Sequence, residues 1–119
     1  MKNIFLLFIV LTVAYSCSSQ KQQQDNIPAN TPACIKELIK KQKREEQTCP
    51  GDIYSYSYKG STVYFIPESS TPCDDAVSLL YDSNCNIIGR YGGNGGKDRG
   101  KDFLEKRTNE KLIFNWEEN

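Results

Sequence analysis

The chain has 119 residues, 38% of them hydrophobic, with 15 basic and 15 acidic side chains, five cysteines and no histidine. That length allows one small domain whose core is thin for its surface, so cross-links are expected to supplement burial. Balanced charge argues against nucleic-acid binding, which needs a basic excess to displace counterions, and against a polybasic membrane-surface role; the missing histidine removes Ser-His-Asp and Cys-His catalysis and the commonest zinc ligand.

Met1-Lys2-Asn3, the apolar run Ile4 to Ala14 and then Tyr15-Ser16-Cys17 have the three parts of a secretory signal peptide. The run is too short for a permanent span, which needs about 20 apolar residues. Ala14-Tyr15-Ser16-Cys17 resembles the lipobox of bacterial lipoproteins, with a small residue before the cysteine, although Ala14 stands where leucine is favoured and Tyr15 is bulky. The resemblance implies that Cys17 carries a diacylglycerol and that a further acyl chain completes a stable anchor. Setting Cys17 aside leaves four cysteines, an even number able to pair. Ser18 to Thr31 is a polar Ser/Gln/Asn/Pro stretch suited to a tether. The expected organisation is therefore a signal peptide at 1–16, a lipidated cysteine and tether at 17–31, and one domain at 32–119. Cleavage after Ser16 removes Lys2 and leaves the acids one in excess. The expected location is the bacterial cell envelope, lipid-anchored, and facing the periplasm because only one late acid, Asp25, follows the cysteine.

Thr31-Pro32 reads as an N-cap followed by proline at the first helical position. Ile35, Leu38 and Ile39 recur at helical spacing among Lys36, Lys40, Lys41, Lys43 and Arg44, which predicts a helix over 32–47 stopped by Pro50-Gly51. The basic run reads as a solvated helix surface, with a docking face as the alternative. Ile53 to Tyr58 and Thr62 to Ile66 alternate around Lys59-Gly60-Ser61, the pattern of a β-hairpin. Pro67 to Pro72 is a loop, and Ala76 to Tyr81 with Asn86 to Tyr91 form a second hairpin around Asp82 to Cys85. After the glycine-rich Gly92 to Gly100, a short helix over 102–107 and a last strand over 112–116 close the chain. The fold class is α+β: an N-terminal helix on a small antiparallel sheet of two hairpins plus a C-terminal strand, stapled by disulfides.

Of the three pairings open to Cys34, Cys49, Cys73 and Cys85, the one joining Cys34 to Cys49 is excluded. These two residues sit at opposite ends of the predicted helix, about 20 Å apart, and a bridge needs Cα atoms within roughly 7 Å. Of the two that remain, Cys34–Cys73 with Cys49–Cys85 is favoured. The C-x₂-C spacing of zinc sites is absent, and no metal or cofactor is expected.

Several stretches together resemble an uncharacterised domain of small Bacteroidetes-type lipoproteins. They are Ala33-Cys34-Ile35, Tyr58 to Tyr64, Leu80 to Asn84, Gly92 to Gly100, Lys101-Asp102-Phe103 and Trp116. The resemblance implies lipoprotein status and carries no function; it also implies cysteines near the glycine loop, whereas this chain has none after Cys85.

The candidate binding surface is the tyrosine set Tyr54, Tyr56, Tyr58 and Tyr64, because tyrosine offers large rigid contact area at low entropy cost. The competing reading packs those rings half-buried against the helix with hydroxyls at the rim. Asp82-Ser83-Asn84-Cys85-Asn86 opens like a calcium loop, but Ile87 replaces the required glycine and Gly93 the bidentate acid, so these residues read as turn formers. The glycine loop lacks a following Gly-Lys-Ser/Thr and reads as a connector or an adaptable recognition loop. The adjacent carboxylates Asp74-Asp75 and Glu117-Glu118 do not define a glycosidase pair. No catalytic residue is expected. The reading is a non-enzymatic envelope lipoprotein that binds another protein or a cell-wall component. The alternatives are a protease or lysozyme inhibitor using Pro67 to Pro72, and a histidine-free carboxylate hydrolase.

Overall fold

The computed structural model describes residues 26–45, 50–68, 76–93 and 101–116. The leader, Cys17, the start of the tether, Cys49, Cys73, Asp74-Asp75, the glycine loop beyond Gly93 and Glu117-Glu118 lie outside the described residues.

The first helix, α1, spans Ala33–Arg44. Pro32, not Thr31, occupies its N-cap: Pro32 is extended at φ −54° and ψ 144°, and its carbonyl accepts from Lys36 N–H at 3.1 Å. Thr31 instead closes a turn, its N–H donating to Pro28 O at 3.0 Å, and its buried hydroxyl has no hydrogen-bond partner among the described residues. The helix ends three residues earlier than the spacing predicts, at an extended Glu45 whose N–H still reaches Lys41 O.

Strands β1 (Ile53–Tyr58) and β2 (Ser61–Pro67) form the expected hairpin, with Tyr58 opposite Ser61. The two residues between them, Lys59 and Gly60, have φ of 49° and 77°, the left-handed pair of a type I′ turn, whose twist matches that of the strands. Strands β3 (Val77–Tyr81) and β4 (Ile87–Gly92) form the second hairpin. Its turn is organised by Asp82, whose Oδ1 accepts from the N–H groups of Asn84 and Asn86 at 2.9 Å each, while Oδ2 accepts from Asn86 Nδ2 at 2.9 Å. Hydrogen bonds from the Asn86 side chain and backbone lower the Asp82 carboxyl pKa. The calcium-like sequence is thus an Asx turn. On β4, the Tyr91 ring lies over Gly89, in the space a Cβ there would need.

A six-residue helix, α2 (Lys101–Lys106), leads into β5 (Thr108–Phe114). The last strand therefore starts four residues before its predicted position and ends before Trp116, whose indole N–H donates to Gly51 O at 3.0 Å. All neighbouring strands are antiparallel, in the order β4-β3-β2-β1-β5. The architecture is α+β, as the sequence predicts.

Alternation divides the core between the two sheet faces. On one, α1 buries Ile35 and Ile39 against Ile53, Tyr64, Ile66, Ile113 and Phe114. On the other, α2 buries Phe103 against Tyr56, Val63, Leu80 and Tyr91.

The disulfide joins Cys34 to Cys85, with Cα atoms 6.2 Å apart, which corrects the favoured Cys34–Cys73 and Cys49–Cys85 pairing. Pairing of β3 with β2 places Tyr81 beside Tyr64 and so brings the β3–β4 turn under the start of α1, where Cys34 Sγ also lies 3.9 Å from Ser83 O. By the chain-entropy model, a bridge across 51 residues contributes about 4 kcal/mol.

Candidate functional site

The four tyrosines proposed as one surface are divided by the sheet. Tyr54, Tyr56 and Tyr58 lie on the α2 face, and the hairpin register puts Tyr64 opposite Ser55, on the α1 face, where it is buried. Phe103, with no exposed surface, sits against two of the first three: its ring meets Tyr56 and Tyr58 edge-on, both at 5.4 Å between centroids, and stacks on Phe65 at 5.7 Å. The hydroxyls are engaged as well. Tyr56 donates to Glu110 Oε2 at 2.7 Å, Tyr58 to Asp102 Oδ2 at 2.8 Å, and Tyr54 to Asp52 Oδ2 at 3.4 Å. Burial first, then the bond to Glu110, pushes the Tyr56 pKa up to about 12. The Arg107 guanidinium covers the outer side of Tyr56 at 4.7 Å. Asp102 also pairs with Lys106 at 2.6 Å and Lys59 at 3.1 Å, and these bonds, Lys106 foremost, hold its carboxyl well below the usual range. Tyr56 and Tyr58 are spent on holding α2 to the sheet, and Tyr54 packs beside Tyr56.

The more open feature lies on the other face. The buried positions of α1 lie against β1, β2 and β5, so the α1-side surface of β3 is left beside the helix rather than beneath it. Two adjoining hollows, about 340 and 470 Å³, share Leu38, Lys41 and Tyr81 and together form a groove along the helix. Ile66, Leu79 and Tyr81 line its sheet side, Leu38 its helix side, and the Cys34–Cys85 bridge lies at one end. Lys41, Arg44 and Glu37 mark its helical rim, and Glu68 stands opposite, 3.4 Å from Arg90. Gln42 ties the helix across the groove, its Nε2 donating to Pro67 O at 2.7 Å. Burial, with a smaller contribution from the Glu68 charge, raises the Tyr81 pKa, so its hydroxyl stays protonated at neutral pH. Each hollow is of small-ligand size, and the lining mixes Leu38, Ile66, Leu79 and Tyr81 with the polar and charged Lys41, Gln42, Glu45 and Glu68.

The groove was missed in the sequence because it depends on where β3 sits relative to α1. Its one sequence signal is Leu38, an apolar residue of the helical stripe that stays half-exposed beside the fully buried Ile35 and Ile39. Only Pro67 and Glu68 of the Pro67 to Pro72 loop are described. Among the described residues, no group of three or more Cys, Asp or Glu side chains is placed to hold a metal ion, and no helix is long and apolar enough to cross a membrane.

The fold and groove define a small, disulfide-bridged α+β domain: a five-stranded antiparallel sheet with a helix on each face. The chain belongs to the family described as "Domain of unknown function (DUF6970)", which matches residues 38–116. The match takes in every strand and α2, and begins four residues after Cys34. No curated protein and no solved structure matches the chain.

Proposed function

We propose that the protein is a lipid-anchored component of the bacterial cell envelope whose domain binds, without catalysis, an extended segment of another envelope protein in the groove beside α1. The observation that carries the binding reading is the groove itself: a half-open floor of Leu38, Leu79 and Tyr81 rimmed on the helix by Lys41 and Arg44, with Glu37, paired to Lys40, and Glu45 beside them. Among the described residues Lys41 has only a long contact to Glu45, at 3.9 Å, and Arg44 makes no ion pair. An apolar side chain next to a carboxylate complements this arrangement. Apolar burial supplies affinity and the two cations fix orientation.

Support for the anchor comes from the sequence: the signal-peptide pattern of residues 1–16, the lipobox-like Ala14-Tyr15-Ser16-Cys17 and the polar stretch that follows. Labelling cells with an alkynyl fatty acid should mark the wild-type protein and leave a Cys17→Ser variant unmarked; equal labelling of the two would defeat the anchor.

For the binding reading, the full chain in detergent should enrich peptides carrying an apolar residue beside Asp or Glu from a displayed random library. Amide shifts should then appear at Leu38, Lys41, Leu79 and Tyr81. The exposed double reversal Lys41→Glu/Arg44→Glu should abolish the enrichment with the circular dichroism spectrum unchanged. Shifts confined to the Tyr54–Tyr58 face, or enrichment that survives the reversal, would refute the groove as the site.

A further inference from the structure

We infer that the chain holds a second, separate binding site, a small polar pocket on the uncovered half of the α1 face that takes an oxyanion, the group shared by phosphates and carboxylated sugars. The pocket, about 180 Å³, is lined by Ser55, Ser57, Thr62, Asn109 and Lys111 together with Tyr56. It is separate from the groove, with which it shares no lining residue.

A β-bulge shapes this pocket. Between Ser55 and Ser57 β1 advances two residues, while their partners on β5, Lys111 and Thr108, lie three apart. The extra residue is accommodated where Asn109 adopts φ 52°, the left-handed region that Asn tolerates better than most residues. The bulge turns the Asn109 amide toward β1, where its Nδ2 donates to Ser57 Oγ at 3.0 Å. With its oxygen accepting that bond, Ser57 keeps its own O–H free to donate outward.

The chemistry of the lining is one-sided. Ser55 is 6% exposed, lines the pocket, and has no side-chain hydrogen bond among the described residues. The residue is largely enclosed, and its hydroxyl, which lines the pocket, is available to a ligand oxygen. Lys111, opposite Ser55 in the β1–β5 register, makes no ion pair among the described residues. No carboxylate lines the pocket: Glu110, the adjacent acid on β5, accepts from the Tyr56 hydroxyl on the α2 face. An ammonium group and two available hydroxyls converging on one volume, with no acid among the lining residues, favour an anion over a neutral or cationic guest.

The test titrates the full chain in detergent, at low chloride, with inorganic phosphate, with glucuronate and with neutral glucose, following backbone amide shifts. Saturable shifts centred on Ser55, Ser57, Asn109 and Lys111 are expected with phosphate, glucuronate or both, and none with glucose. Saturation by phosphate alone assigns the site to phosphate groups, and saturation by glucuronate alone assigns it to carboxylated sugars. Lys111→Gln, which replaces the ammonium with a neutral amide at an exposed position, should weaken binding about tenfold with an unchanged melting temperature. The site is refuted if neither anion saturates, if glucose shifts the same amides, or if Lys111→Gln binds as wild type does.

Discussion

The two faces of the sheet are closed in different ways. On the α1 face a twelve-residue helix inserts Ile35 and Ile39 into an isoleucine-rich layer, and a disulfide ties its first turn to the β3–β4 turn. On the α2 face a helix of six residues, too short to persist alone, is held by one phenylalanine ring among tyrosines and by one carboxylate shared among Tyr58, Lys59 and Lys106. The first closure rests on apolar burial and a covalent bond. The second rests on aromatic packing and charge, and therefore responds to pH, where the first responds to reductant.

That contrast breaks most sharply at Phe103. Replacing it with alanine should cost about 3–5 kcal/mol, because the fully buried ring has aromatic neighbours on several sides and the cavity cannot collapse onto a six-residue helix. Chemical denaturation would measure the loss, and near-ultraviolet circular dichroism should lose most of its tyrosine signal. If Phe103→Ala unfolds with wild-type stability, α2 is not part of the cooperative unit.

The corresponding change on the other face is the paired substitution Cys34→Ser/Cys85→Ser. It should lower stability by about 2–4 kcal/mol and leave in place the near-ultraviolet signal that Phe103→Ala removes, since the bridge adjoins Tyr81 and touches none of the rings around Phe103. A tyrosine spectrum that collapses along with the bridge would show that the two faces do not respond separately.

Much of this division was written locally in the chain. The turn Lys59-Gly60 fixes the register of β1 on β2, and with it the sidedness of every residue on the two strands. Carried through, that register already separates Tyr64 from Tyr54, Tyr56 and Tyr58, and grouping all four tyrosines on one surface overlooked it. Asp82 likewise announced its turn through chemistry that requires only neighbours. What stayed hidden was non-local. Thr108 to Lys111 is polar and carries a left-handed Asn109, so nothing in its own pattern marks a strand; it becomes one by pairing with the distant β1. The Cys34–Cys85 bridge and the groove both follow from β3 lying beyond β2, a matter of sheet order that periodicity does not encode. The polar pocket depends on the same late pairing, because the bulge that forms it exists only between β1 and β5.

The smallest expected effect, and the one most specific to the α2 face, is its response to acid. The folded-state pKa of Asp102 is depressed, chiefly by its bond to Lys106 and then by those to Tyr58 and Lys59. A depressed carboxyl stabilises the fold fully above its unfolded value of about 4, and that contribution is lost as pH falls below it toward the folded value. Lys59 has a raised pKa through Tyr58 first and then Asp102, and Lys106 through Asp102, so the alkaline loss begins only above about pH 10. The carboxylate stands at the surface, where solvent screens it, so its contribution is modest beside that of the Phe103 ring. Asp102→Asn should therefore lower the melting temperature slightly at pH 7 and converge on wild type as the pH falls below about 4. The bridge variant should instead run parallel to wild type across that window, because a disulfide does not titrate. If Asp102→Asn keeps a constant offset from wild type down to low pH, the carboxylate contributes no pH-dependent stability, and the α2 face is held by aromatic packing alone.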